Sequence, residues 1–165
     1  EMGAFIAERS AKAAAKAAAL PTAPLDVSQA IVGLPLTPLA AAVAKRPTID
    51  VEIQVMTVGP LAIVAFPGEP LIELSFSIQE RSPFPHTVVL GYSNGRGAAY
   101  VGMTGNKAKG GYEMTHVGRG TDECGAMMVA TALRLLREQY DRQQPPKGGG
   151  RASGSPRSTN PVAGR

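Results

Sequence analysis

The stretch from residue 49 to residue 69 constrains the fold most. Ile49, Val51, Ile53 and Val55 alternate with Asp50, Glu52 and Gln54. A period of two puts the apolar side chains on one face of a strand and the polar ones on the other, so this segment reads as a half-buried strand. Val58-Gly59-Pro60 follows as a turn, and Leu61 to Phe66 is a continuous apolar run, which reads as a more deeply buried strand. The pair predicts a hairpin. Pro67-Gly68 stops its second strand, and Glu69 to Glu80 reads as a helix with Leu71, Ile72, Phe76 and Ile78 as its apolar positions. This places a carboxylate, Glu69, at a predicted helix N-terminus directly after a buried strand.

The flanking segments add both periods. Residues 2–20 read as a helix, nearly all Ala from Ala11 to Leu20, with Lys12 and Lys16 interspersed and Phe5 and Ile6 as a small apolar patch. Pro21 and Pro24 end it, and the expectation is a packed surface helix. Ile31, Val32 and Leu34 suggest a short strand; Thr37 then caps a helix that opens on Pro38 and runs to about Ala44. Thr87 to Leu90 reads as another buried strand, and the Gly-rich, polar residues 91–120 as a long loop. A last helix, capped by Thr121 or Asp122, turns Met127, Met128, Ala130, Ala132, Leu133, Leu135 and Leu136 inward. The order of elements predicts an α/β fold, a mixed sheet with flanking helices.

Charge divides the chain at residue 142. Of 17 Lys and Arg residues, five lie in 142–165 (Arg142, Lys147, Arg151, Arg157 and Arg165), where there is no acid. The remaining 12 face all 13 Asp and Glu, a net charge of −1 for residues 1–141. The expected organisation is a folded unit over 1–141 and a disordered basic Gly/Pro/Ser-rich tail over 142–165. Nucleic-acid binding needs clustered cations on a folded face, and a near-neutral folded part does not predict it. No apolar run approaches the roughly 20 residues that cross a bilayer, and the single cysteine, Cys124, has no partner for an internal disulfide. The chain opens on Glu1 and shows no signal peptide; the expectation is a fragment or processed product.

Three places could carry chemistry. Glu69 at a helix start suits metal ligation or general-base work, or simply complements the helix dipole. The loop Gly91-Tyr92-Ser93-Asn94-Gly95-Arg96-Gly97-Ala98-Ala99-Tyr100 lacks the Gly-Lys-Ser/Thr ending of a phosphate loop. Gly110-Gly111-Tyr112-Glu113 offers a phenol that could donate to a developing oxyanion, or pack on the surface. His86 and His116 lie far apart and lack the spacing of paired ligands. Cys124 has no neighbouring histidine and reads as a buried structural thiol.

Taken in order, these segments resemble one family. An apolar strand, Pro67-Gly68-Glu69, a helix ending near Arg81-Ser82-Pro83-Phe84, a second strand, Gly91-Tyr92-Ser93-Asn94-Gly95, Tyr100, Gly111-Tyr112-Glu113 and a final helix are similar to the C-terminal section of the catalytic domain of neutral/alkaline non-lysosomal ceramidases. The resemblance covers about residues 28–140. It implies a zinc-dependent amide hydrolase acting on the N-acyl bond of ceramide or a related lipid. In that family two histidines, a glutamate and a tyrosine bind the zinc. The glutamate matches Glu69, the ligand tyrosine matches Tyr100, and a second tyrosine, which stabilises the oxyanion, matches Tyr112. The family's two zinc histidines lie upstream of the matched segments, so His86 and His116 do not correspond to them. The resemblance therefore implies that the missing N-terminal part of the same domain is a partner and that this chain alone is inactive. A secreted or periplasmic setting is expected for the full-length protein. A non-catalytic binding or assembly module that keeps the fold without the metal is the alternative expectation.

Overall fold

The computed structural model describes residues 1–95 and 97–144. A four-stranded sheet in the order β1-β2-β3-β5 forms the body. β1 (Leu25–Pro35) and β2 (Thr48–Val58) are antiparallel over their full length, from Leu25 opposite Val58 to Pro35 opposite Thr48. The expected hairpin joins β2 to β3 (Leu61–Ala65) through Gly59, whose φ of +53° suits a residue without Cβ. β5 (His86–Leu90) adds to β3 in parallel, Leu61 opposite His86 and Ala65 opposite Leu90. The sheet is therefore mixed, as the alternation and the order of elements predict.

One side of the sheet is covered. Val51, Ile53 and Val55 of β2 and Ala62 and Val64 of β3 are buried with Leu34 against α3 (Ile72–Arg81) and α5 (Cys124–Gln143). α5 contributes Met128, Val129, Ala132, Leu133, Leu135 and Leu136 to this core. Met127 is half-buried and Ala130 is exposed, so Val129 takes the inward place expected of Ala130. Two polar contacts fix α5 on the two antiparallel strands. The buried Gln139 donates through Nε2 to Ser28 Oγ at 2.7 Å and to the Val55 carbonyl at 2.9 Å. Arg142 donates to Asp26 Oδ2 at 2.9 Å. Arg142 and Gln143 are thus helical, beyond the expected start of the tail at 142; residues 145–165 of that tail lie outside the described residues.

Several expectations need correction. Glu69 does not open a helix. Glu69–Pro70 is extended (β4) and pairs in parallel with Tyr100–Val101 (β6), Glu69 opposite Tyr100. The cause is local: proline clashes with a helical residue before it and pushes that residue to extended backbone. α3 accordingly starts at Ile72 and turns Leu74 and Ile78 into the core, leaving Ile72 and Phe76 each 60% exposed. β5 is an edge strand with alternating exposure, not a buried one. The long loop contains β6, α4 (Asn106–Lys109) and a π-helical turn at Glu113–Val117. Asp122 does not cap α5: its carboxylate accepts from the Gly105 N–H at 2.7 Å, at the start of α4. Helix α2 (Pro38–Ala44) does begin as expected, with Ala40 N–H donating to Thr37 Oγ1 at 3.4 Å. α1 (Met2–Ala14) is shorter than expected and buries no residue. Alanine drives helix formation through propensity and offers little surface to bury, so this helix forms without packing.

The register of α3 is open to a simple test. Leu74→Ala empties a fully buried position and should cost about 2–5 kcal/mol, whereas Phe76→Ala should cost less than about 1 kcal/mol. Urea unfolding of the two variants measures the difference, and equal losses would refute the register.

Candidate functional site

Two segments of extended backbone cross at the C-terminal end of β3. Phe66 N–H donates to Leu90 O at 2.8 Å, Ser93 N–H to Phe66 O at 2.9 Å and Tyr92 N–H to Gly68 O at 2.8 Å. Glu69 N–H then donates to Ala99 O and Leu71 N–H to Val101 O, both at 2.9 Å. Residues 91–95 and 97–101 are thereby strapped against 66–71 by main-chain bonds. The approach is too close for side chains. A Cβ on Gly97 would stand 2.6 Å from Gly68 N, and one on Gly68 would stand 2.7 Å from Ala99 O. The strap also holds three non-glycine residues in the left-handed region, Tyr92, Asn94 and Ala99, with φ of 54°, 55° and 60°. Asparagine tolerates this conformation, whereas alanine and tyrosine adopt it at a cost. Backbone strain of this kind clusters where the surrounding structure must hold a functional geometry.

The strap delivers side chains to one place. Glu69 and Tyr100 are direct partners across the parallel ladder, and Tyr92 joins them from the start of the strap. The hydroxyls of Tyr92 and, next, Tyr100 lower the Glu69 carboxyl pKa by favouring its ionised form. The same interaction raises both phenols. Hydrogen bonding to Glu69, then desolvation, then the charges of Glu69, Tyr92 and Glu113 push Tyr100 up to about 12, and Tyr92 is raised chiefly by Glu69. Tyr92 is the member that residue-by-residue reading missed. Its signal was its position immediately after Gly91, where β5 ends beside the Pro67-Gly68-Glu69 turn.

Tyr112 stands on a neighbouring element. It precedes the π-helical turn and stacks on His116, with ring centroids 5.9 Å apart and planes at 16°. It is 65% exposed. The turn abuts β6, since a Cβ on Gly118 would lie 3.2 Å from Tyr100 O, and Glu113 is one of the charges acting on Tyr100. His116 contacts Thr115 Oγ1 through Nδ1 at 2.7 Å, and His86 lies at the opposite end of β5. The two histidines remain apart, as their spacing implies. Cys124 is buried as expected, its thiol donating to Pro35 O at 3.3 Å, and burial raises its pKa.

Glu69 is an oxygen donor of the type that binds zinc in company with imidazole, and the Tyr100 phenol, its ladder partner, is a second oxygen beside it. Among the described residues no group of three or more His, Cys, Asp or Glu side chains could hold a metal ion. The donors present therefore fit part of a zinc ligand set and not a complete one. Also among the described residues, no helix is long and apolar enough to cross a membrane.

This arrangement defines an α/β protein with a carboxylate–phenol pair at the end of its sheet. No family model matches the sequence, and no curated protein matches it. Solved structures align with it, among them two ceramidases. A ceramidase complexed with C2 has a TM-score of 0.50 and 21% identity, over 56% of this chain and 15% of its own. The neutral ceramidase from Pseudomonas aeruginosa has a TM-score of 0.49 and 16% identity, over 70% of this chain and 29% of its own. The chain thus spans 15% and 29% of the length of these proteins. The first of them shows that this arrangement of strands and helices occurs within a ceramidase, in agreement with the resemblance of the ordered motifs.

The site has a spectroscopic signature. The chain has four tyrosines, and two of them, Tyr92 and Tyr100, should ionise later than free phenol. Glu69→Gln removes the negative charge, so ultraviolet titration should show both returning toward the ordinary value of 10.0, Tyr100 from about 12. The linkage has a defined sign. A raised phenol pKa contributes stability that is full below its unfolded value and is lost between about pH 10 and 12. The lowered Glu69 pKa contributes stability present above 4.5 and lost as the pH falls through its folded value. An unchanged titration in Glu69→Gln would mean that the three groups do not interact.

Proposed function

We propose that this chain builds part of the active centre of a ceramidase-type amide hydrolase, with Glu69 and Tyr100 as two of the ligands of a zinc ion. The observation that carries the reading is the direct pairing of Glu69 with Tyr100 across the β4–β6 ladder. That pairing brings together two residues 31 positions apart in the sequence, the two that the family resemblance assigns to the metal.

The chain's own residues have distinct tasks in this scheme. Glu69, held ionised by the Tyr92 and Tyr100 hydroxyls, presents a negative oxygen at neutral pH. Tyr100 keeps its proton to about pH 12 without a metal, so ligation requires it to release that proton. Metal affinity should therefore rise with pH. Zinc, when bound, supplies Lewis-acid polarisation of an amide carbonyl and acidification of water. Tyr112, exposed beside the turn that borders Tyr100, would donate its hydroxyl to the oxyanion formed from that carbonyl. The substrate would be an N-acyl amide, with ceramide as the lipid example. Two histidines from a preceding segment of the same domain would complete the ligand set.

The coding sequence upstream of Glu1 is the first test. The expected result is an in-frame continuation that bears two separated histidine-containing segments. The protein encoded by that longer frame should carry one zinc per chain, lost in Glu69→Ala and weakened in Tyr100→Phe. Tyr112→Phe should retain the metal and lower kcat by about 10²–10³-fold. A folded, metal-free longer protein would instead identify a non-catalytic module.

A further inference from the structure

A groove of about 530 Å³ lies between α2 and the π-helical turn. Main-chain bonds build its walls. Leu36 pairs with Gly120 in an isolated bridge, Thr37 N–H donates to Arg119 O at 2.9 Å, and Leu36 N–H donates to Pro47 O at 2.8 Å. Gly118 N–H closes the π-helical turn on Glu113 O at 2.8 Å. The groove is therefore set by the backbone, and its size suits a small molecule.

Its lining has two kinds of surface. Leu39 and Val43 come from α2, Met114 and Val117 from the turn and Ile49 from β2. Leu39 is 78% exposed and Val43 79%, and α2 buries no residue, so these aliphatic side chains forgo the gain of burial. The other surface is cationic. Arg46, Lys107 and Arg119 line the groove, and among the described residues no Asp or Glu does. Asp50 points to the opposite face of β2 from Ile49, and Asp122 is taken by the N–H groups of Gly105 and Lys107. The ion pairs found among the described residues are Lys12–Glu8, Arg134–Glu138 and Arg142–Asp26, so the three cations of the groove have no carboxylate partner there. Arg46 and Arg119 also line an adjoining hollow of about 410 Å³ with Gly68, Gly97 and Ala99, which puts them at the end of the groove next to the strap.

We propose that this groove binds a single-chain amphiphile with an anionic head group, its alkyl chain between α2 and the π-helical turn and its head on Arg46 and Arg119. Apolar walls alone would take a neutral chain equally well. The arginines select a negative head, because a guanidinium offers a carboxylate or phosphate two parallel N–H donors. Lys107, whose Nζ donates to Gly118 O at 3.5 Å, adds a further positive charge. The second face of the sheet, also apolar and exposed at Leu25, Val27 and Ile31, has the opposite character, since Asp50, Glu52, the Gln29–Gln54 pair and His86 share it. The groove is independent of the zinc reading: it needs no metal and no residue outside this chain, and Glu69, Tyr100 and Tyr112 are not among its lining.

Titration of the full chain with decanoate below its micelle concentration, followed by calorimetry and methyl NMR, tests this. Decanoate should shift the methyl signals of Leu39, Val43 and Met114 and bind about tenfold or more tightly than decan-1-ol, which lacks the charge. Decyl phosphate should behave as decanoate does, and acetate, a head group without the chain, should leave the methyl signals in place. Arg46→Gln with Arg119→Gln should abolish the preference for decanoate over decan-1-ol, and Val43→Asp should abolish binding of both. All three substituted side chains are exposed, and urea unfolding checks that the variants keep the fold. Equal binding of decanoate and decan-1-ol by the unaltered chain would overturn the proposal. So would shifts at Val27, Ile31 and Val88 of the sheet in place of the groove. Binding to vesicles of anionic phospholipid with no response to monomeric decanoate would identify a membrane-contact surface and overturn it equally.

Discussion

Everything in this fold depends on one face of β2. Val51, Ile53 and Val55 are all essentially inaccessible to solvent, and they meet α5 along its length. β2 is also the strand with a partner on each side, β1 and β3. Its apolar side thus supplies the core, while its backbone bonds align the neighbours. Gln139 joins the two roles, reaching from α5 through the core to the Val55 carbonyl and to Ser28. A buried amide gains little net stability from such bonds, but leaving those partners unpaired would cost more. The pair therefore fixes the position of the helix on the sheet more than it adds to its stability.

The candidate site follows from the same frame one step outward. β3 can end abruptly at Pro67-Gly68 because β2 and β5 already hold it on both sides. The chain then passes under residues 97–101 at a separation that only Gly68 and Gly97 allow. Proline at position 70 keeps Glu69 extended, and the extended form lets its N–H reach Ala99 O. One proline and two glycines thus bring a carboxylate and a phenol together without a tertiary side-chain contact being needed to hold them. The strained Ala99, at φ of 60°, is the local cost of the crossing.

The regular part of the fold was legible in the sequence because its signals are periodic. The alternation from Ile49 to Val55 gave both the strand and its buried face, and Thr37-Pro38 gave the helix start. The errors share a physical origin. Pro70 has two opposite readings, since proline suits both a first helical turn and an extended residue pair. Its effect on the residue before it is the one that operates here, and the extended Glu69 then pairs with Tyr100. Asp122 likewise reads as a cap for the helix that follows it, and it serves α4 because the loop between folds back. The phase of α3 was misjudged because Ile72 and Phe76 lie on a different face of a 3.6-residue helix from Ile78, whose inward partner four residues before it is Leu74. In the site, Glu69, Tyr100 and Tyr112 were singled out by their order along the chain. Tyr92 escaped notice because its signal, a place directly after Gly91 at the end of β5, gains meaning only once β5 is known to lie beside the turn that carries Glu69.

The uncovered sheet face and the carboxylate–phenol pair have a common logic. A sheet with one packed layer has its second face open, and a site built from one strap has donors on one side only. The carboxylate–phenol pair at the end of β3 presents two oxygens, and a zinc ion demands more ligands than that. Covering the sheet face and binding a metal at the pair would place different requirements on a partner. An apolar face accepts any surface of suitable shape, because hydrophobic burial is not directional. A metal accepts only particular atoms at fixed distances. The open sheet face can therefore be met by many surfaces, while a site built on a carboxylate and a phenol depends on residues of a defined kind.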